Sequence, residues 1–174
     1  MVTDSKSLEG AKAARLIGAF KFPGLLAYPE APVAKLTEKA LAVLSKSGKK
    51  FLLMVEGAYI DNGAHENNPE AVVYQTLLFD MAVKAALDFA VADKETLVIV
   101  TADHETGGLV VKNGDPTGKE VDISWTHKQH TAMPILLFAY GPGAEMLGGV
   151  CDNTDIPKRI AALIGVSGFP KIAE

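Results

Sequence analysis

Cysteine is nearly absent. Cys151 stands alone among 174 residues, which excludes an intrachain disulfide and leaves the redox compartment open. A lone thiol of this kind reads as a small buried hydrophobe. Arginine is almost as scarce: Arg15 and Arg159 are the only two, and neither lies in a phosphate-binding motif. The formal charge is -4 and the lysines are scattered, so no basic field exists to attract nucleic acid, and no nucleic-acid partner is expected. Long apolar runs are missing too. None reaches the roughly 18 residues that a membrane span requires. The opening Met1-Val2-Thr3-Asp4-Ser5-Lys6 lacks a basic region followed by an apolar one and does not read as a signal peptide.

What is present is an ordinary globular balance of 48% apolar and 22% charged residues, enough for one domain over 1–174 with a sizeable core. Three short apolar runs, 51–55, 97–101 and 134–139, read as strands buried on both faces, the pattern of parallel strands covered by helices. Between them lie helical patterns. Val33, Leu36, Ala40, Val43 and Leu44 recur at helical spacing after Pro32 and before Gly48. A longer helix over 69–92 carries Val73, Leu77, Met81, Ala85 and Phe89 as one apolar stripe, expected to face the core. The last helix, 156–164, has Thr154 or Asp155 as N-cap and Gly165 at its end. Residues 111–127, with Asn113-Gly114-Asp115-Pro116 and Gly118, read as a surface excursion or hairpin. The alternation predicts an α/β fold whose mostly parallel sheet is flanked by helices.

Chemistry concentrates in Glu56, Asp61, His65, Asp103, His104 and His130, which include three of the four histidines. In open α/β sheets, ligands gather beyond the carboxyl ends of the strands. Glu56 follows the first apolar run, and Asp103 with His104 follows the second. Asp61 and His65 are four apart, so one helical turn would place carboxylate and imidazole on the same side. Asp103 and His104 can serve one ion only if the backbone turns, and Gly107-Gly108 makes that turn available. Mixed His and Asp ligation without thiolate suits zinc or a similar divalent ion, and an all-oxygen site suits magnesium. Two ions roughly 4 Å apart can clamp a phosphoryl displacement. The alternative is a set of separate surface carboxylates and structural histidines, with Asp103 as a cap.

The wording of the motifs adds to this. Val55-Glu56-Gly57-Ala58-Tyr59-Ile60-Asp61 through His65, Thr101-Ala102-Asp103-His104, Gln129-His130-Thr131 and Phe138-Ala139-Tyr140-Gly141-Pro142-Gly143-Ala144 together resemble the C-terminal half of the alkaline phosphatases, over roughly residues 10 to 165. The resemblance implies a phosphomonoester hydrolase that uses two zinc ions, one magnesium ion and a phosphoserine intermediate. It places Asp61, His65 and His130 on the first zinc, Asp103 and His104 on the second, and Glu56 on the magnesium. It also implies a periplasmic or extracellular location. Asn62 departs from the basic residue common after the family's aspartate, and Ala132 stands where glycine is frequent. His127 has no counterpart and reads as a loop residue near the site.

The resemblance also implies that the nucleophilic serine, a bridging aspartate and a phosphate-binding arginine belong to the family's N-terminal half, so no catalytic nucleophile is expected within these residues. Thr3-Asp4-Ser5 is no substitute. A nucleophile at a helix N-terminus should follow a buried strand, whereas Asp4 or Ser5 here reads as the cap of a helix over 6–14. The chain is therefore expected to be the C-terminal part of a larger enzyme, inactive alone and prone to self-association through uncovered sheet edge and apolar surface. Two other readings compete: a noncatalytic metal-binding or assembly module, and a related phosphodiesterase, sulfatase or cofactor-independent phosphoglycerate mutase. The Gln129-His130-Thr131 and Tyr140-Gly141-Pro142 wording argues against the latter group.

Overall fold

A computed structural model describes residues 1–169. Helix α1 (Ser5–Gly10) starts at Asp4, whose carboxylate accepts from the Ser7 N–H while the Ser7 hydroxyl oxygen accepts in return from the Asp4 N–H. This reciprocal cap satisfies donors that the first turn would otherwise leave open. Asp4 thus caps a helix, as expected, although the helix stops at Gly10 rather than near residue 14.

Helix α2 (Val33–Leu44) follows Pro32, and a short 3-10 turn carries it to Gly48 at φ 61°. Helix α3 (Tyr59–His65) is short, and α4 (Pro69–Asp93) is the longest element. Asn68 caps α4 through its side chain, with Pro69 in the first turn, where its missing N–H costs nothing. Both α2 and α3 pack against α4. The buried side of α4 is Ala71, Gln75, Leu78, Ala82 and Ala90. The expected core stripe is instead exposed at Val73, Leu77 (60% exposed) and Met81. This helix is apolar on nearly every side, so periodicity could not single out a face. The small alanines that let neighbouring helices approach closely mark the buried one.

The strands are β1 (Val98–Thr101), β2 (Glu105–Thr106), β3 (Val110–Gly114), β4 (Val121–Ser124), β5 (His130–Thr131) and β6 (Leu137–Tyr140), followed by α5 (Asp155–Ile164). Helix α5 begins after Thr154 and ends at Gly165, as the cap residues predicted. The α/β class holds, but the expected parallel pairing does not. The described strands pair as β1 with β6, β2 with β5 and β3 with β4, each antiparallel. The single parallel contact among the described residues is the isolated bridge between Val2 and Gly18. Residues 134–136 lie outside β6, which starts at Leu137.

Segment 51–55 also differs from expectation. It is extended but carries no ladder, and its alternate side chains Leu52 (72% exposed) and Met54 (85% exposed) face outward. An apolar run becomes a strand only when its backbone hydrogen bonds pair with a neighbour's, and although Phe51, Leu53 and Val55 line one cavity with Val98 and Val100 of β1, no ladder forms between them. On β6, Phe138 and Tyr140 are likewise exposed while Leu137 and Ala139 are partly covered. The excursion over 111–127 is a hairpin, β3–β4, with a register shift between Val111 and Asn113.

Candidate metal centre

Helix α3 presents Asp61 and His65 one turn apart, as the spacing predicted. Its position is set by Gly63, where a Cβ would lie 3.0 Å from the Ala71 Cβ and 3.1 Å from the Val72 nitrogen, so α3 sits directly on the start of α4. His65 Nε2 lies 3.2 Å from Asp61 Oδ2. The other ring nitrogen, Nδ1, is 2.5 Å from the Lys128 carbonyl, which can only accept. Nδ1 therefore carries the proton in neutral His65, and the Nε2 lone pair points at its neighbours.

His130 arrives from the opposite side on β5, where it pairs with Thr106 across the ladder. Its Nε2 is 3.0 Å from His65 Nε2 and 3.6 Å from Asp61 Oδ1. One donor atom from each of Asp61, His65 and His130 lies within 4.8 Å of the others, and no other group of three such residues converges this way among the described residues. Two imidazoles and a carboxylate aimed at one point form a donor set that fits a divalent cation. The cluster is only half-buried.

His104 stands next to this set. Its ring stacks on that of His130 with centroids 3.5 Å apart and planes 18° apart. His104 Nε2 is 3.3 Å from Asp103 Oδ2, and Nδ1 is 3.1 Å from the Thr106 hydroxyl. Asp103 itself is an open residue, its side chain 88% exposed. Glu56 is exposed after the ladderless segment 51–55 and belongs to no converging group of three among the described residues. The expected six ligands thus divide into a closed trio, an adjoining histidine and two outlying carboxylates.

The support beneath His104 and His130 was not read from the sequence. Glu105, on β2, accepts from the Thr131 hydroxyl, from the Gly108 N–H at 3.2 Å and from the Leu109 N–H at 3.1 Å. Burial alone would raise its pKa. The hydrogen bonds from Thr131, Leu109 and Gly108 outweigh that, with His127 nearby, and hold the carboxyl below its ordinary range. Thr106 is buried and donates to Asp61 Oδ1 at 2.5 Å. Both residues follow Asp103-His104 directly, so their position was the available signal. The Gly107-Gly108 turn has φ 87° and 60°, and a Cβ at Gly107 would meet the Trp125 ring at 2.5 Å. Glycine is required there on both counts. The Gly107 carbonyl accepts from Thr126 and His127, which folds the loop leading to His130 back over β2. His127 is a loop residue as expected, its Nδ1 accepting from the Gln129 N–H at 3.1 Å. Cys151 is half-buried rather than buried.

Comparison with known proteins places this geometry in a family. The alkaline phosphatase family profile matches residues 26–121 and 111–166, and the two matches overlap on the β3–β4 hairpin. Alkaline phosphatase of Escherichia coli K12 is 35% identical over 150 residues, covering 77% of this chain and 32% of that protein. Streptomycin-6-phosphate phosphatase of Streptomyces griseus is 38% identical, covering 68% of this chain and 30% of that protein. Among solved structures, a variant of the alkaline phosphatase of the Antarctic bacterium TAB5 with Mg bound in its M3 site superposes with a TM-score of 0.78 at 31% identity, over 95% of this chain and 51% of that one. The chain spans about a third of the length of these curated relatives and about half of the solved structure. Motif wording, metal-compatible geometry, profile and fold agree, and the chain belongs to the alkaline phosphatase family.

Proposed function

We propose that this chain is the metal-binding C-terminal portion of an alkaline-phosphatase-type phosphomonoester hydrolase. The observation that carries the reading is the convergence of Asp61, His65 and His130 on one point. In this reading the trio holds the first zinc, His104 and Asp103 contribute to a second zinc, and Glu56 contributes to a magnesium site. Divalent ions there would supply Lewis acidity toward phosphoryl oxygens. The chain's own residues do the rest. The Lys128 carbonyl sets the Nδ1–H tautomer of neutral His65 and leaves Nε2 aimed inward, and the β2–β5 pairing holds His130 across from α3. The nucleophilic serine of the complete phosphoserine reaction is assigned to polypeptide outside these residues, so the 174-residue chain is expected to be inactive alone.

The same reading extends to partners and place. Leu52, Met54, Leu136 and Phe138 are exposed apolar side chains, and β1 is paired only with β6 among the described residues. Surface of this kind drives association, so the chain is expected to self-associate or to bind a complementary segment. The double variant L52K/M54K is expected to shift its elution toward the monomer. A wild-type chain that stays monomeric at high concentration would remove this part of the reading. No helix among the described residues is long and apolar enough to cross a membrane, and a periplasmic or extracellular location is proposed from the family. The central test is equilibrium dialysis against Zn²⁺ with elemental analysis and an aryl-phosphate assay on the same sample. One tightly held ion and no turnover are expected. No bound zinc, or rapid turnover by the chain alone, would overturn the respective half of the proposal.

A further inference from the structure

We infer that Thr106 is a positioning residue whose single buried hydroxyl links the Asp61–His65–His130 trio to His104 and fixes which nitrogen of His104 is free to bind a metal ion. The inference rests on the metal-site reading above but stands on its own geometry. Thr106 is 8% exposed, and its Oγ1 lies 2.5 Å from Asp61 Oδ1 and 3.1 Å from His104 Nδ1.

The assignment of protons follows from what each group can do. An ionised carboxylate only accepts, so the Thr106 hydroxyl must give its one proton to Asp61. Oγ1 then has only lone pairs left for His104. Nδ1 of neutral His104 must therefore be the N–H that donates, and Nε2 keeps its lone pair. Nε2 is the nitrogen beside Asp103 Oδ2, at 3.3 Å. A hydrogen bond at one ring nitrogen is the usual means by which a protein sets the tautomer and orientation of a metal-binding histidine. Here one hydroxyl does so while it also fixes Asp61, a member of the trio. Threonine suits the task because its β-branched side chain has few rotamers, and Thr106 sits on β2 directly opposite His130.

The test compares T106V, which keeps the shape and removes the hydroxyl, with T106S, which keeps the hydroxyl. Competition of each 174-residue chain with a chromophoric chelator for Zn²⁺ gives affinity, and nitrogen-15 NMR of the histidine rings in the zinc-free protein gives the His104 tautomer. T106V is expected to bind zinc about 10- to 100-fold more weakly, as loss of an outer-shell partner usually costs. T106S should remain within about threefold of wild type, because its hydroxyl preserves the same hydrogen bonds. His104 should be the Nδ1–H form in wild type and T106S and lose that preference in T106V. Equal weakening in both variants would assign the role to packing of the threonine methyl and overturn the inference. So would wild-type affinity in T106V, or an Nε2–H His104 in the wild type. If the wild type binds no zinc, the metal-site reading falls, and the ring NMR of wild type against T106V decides the hydroxyl link by itself. If T106V fails to fold, T106A supplies the hydroxyl-free sample for the same comparison.

Discussion

The trio of Asp61, His65 and His130 and the pair of outlying carboxylates, Glu56 and Asp103, are made of the same residue types and differ in what holds them. Asp61 and His65 share one turn of α3, His65 is fixed by the Lys128 carbonyl, and His130 is registered against Thr106 on β2. Glu56 follows an extended segment without a ladder, and Asp103 follows β1 as an 88% exposed side chain in contact with its neighbour His104. Side chains converge when a helical turn or a strand register sets the distance between their backbones. Those at open strand ends wait for something else to fix them. The chain thus builds one metal-compatible cluster from its own contacts, while the two carboxylates remain apart.

The largest effect should come from breaking the closed side of this contrast. Asp61→Ala removes a donor and also leaves the Thr106 hydroxyl without its carboxylate. Zinc affinity is expected to fall by more than about 100-fold, beyond the range seen for outer-shell changes. Circular dichroism should stay near wild type, because Asp61 is half-exposed and carries little of the core. An affinity within tenfold of wild type would mean that the trio does not hold the ion.

Removing the support beneath the trio should cost less. The Gly108 and Leu109 N–H groups point at different oxygens of Glu105, so Glu105→Gln keeps one acceptor but places an amide donor opposite one of those two N–H groups. Two donors facing each other leave at least one unsatisfied. The β2–β5 contact through Thr131 would loosen, and with it the stacked His104 and His130 rings. Zinc affinity is expected to drop about tenfold, and hydrogen exchange should quicken at Gly108 and Leu109. Unchanged exchange at those amides would show that the carboxylate does not hold the turn.

How much of this was legible in the sequence follows the same division. All members of the trio could be named, because Asp61 and His65 are neighbours on a helical turn and His130 lies in a motif of specific wording. The boundary residues Pro32, Thr154 and Gly165 located α2 and α5, although only Gly165, in the left-handed conformation, acts through its cap geometry and neither Pro32 nor Thr154 makes a side-chain cap hydrogen bond. Strand direction was not legible. Segments 97–101 and 134–139 looked like parallel strands because both are apolar, yet β1 and β6 run antiparallel, and composition is silent on direction. The stripe of Val73, Leu77 and Met81 misled for a related reason: α4 is apolar all round, and its buried face is the one with small alanines. Glu105 and Thr106 escaped notice because their roles depend on cross-strand register, which no spacing along one segment reveals.

The smallest effect is expected on the open side. Glu56→Gln and Asp103→Asn each remove a charge from an exposed position, and neither residue belongs to the converging trio. An exposed carboxylate acts on a cation at the trio mainly through solvent, where attraction is weak and screened by salt. Zinc affinity of the 174-residue chain should therefore change by less than about threefold in either variant, and by less still at high ionic strength. Asp103→Asn is the sharper of the two tests, because Asp103 Oδ2 lies 3.3 Å from His104 Nε2 and so touches the edge of the cluster. A tenfold loss in Asp103→Asn that persists in high salt would mean that Asp103 closes onto the ion when it binds. The division between closed trio and open carboxylates would then belong to the metal-free chain alone.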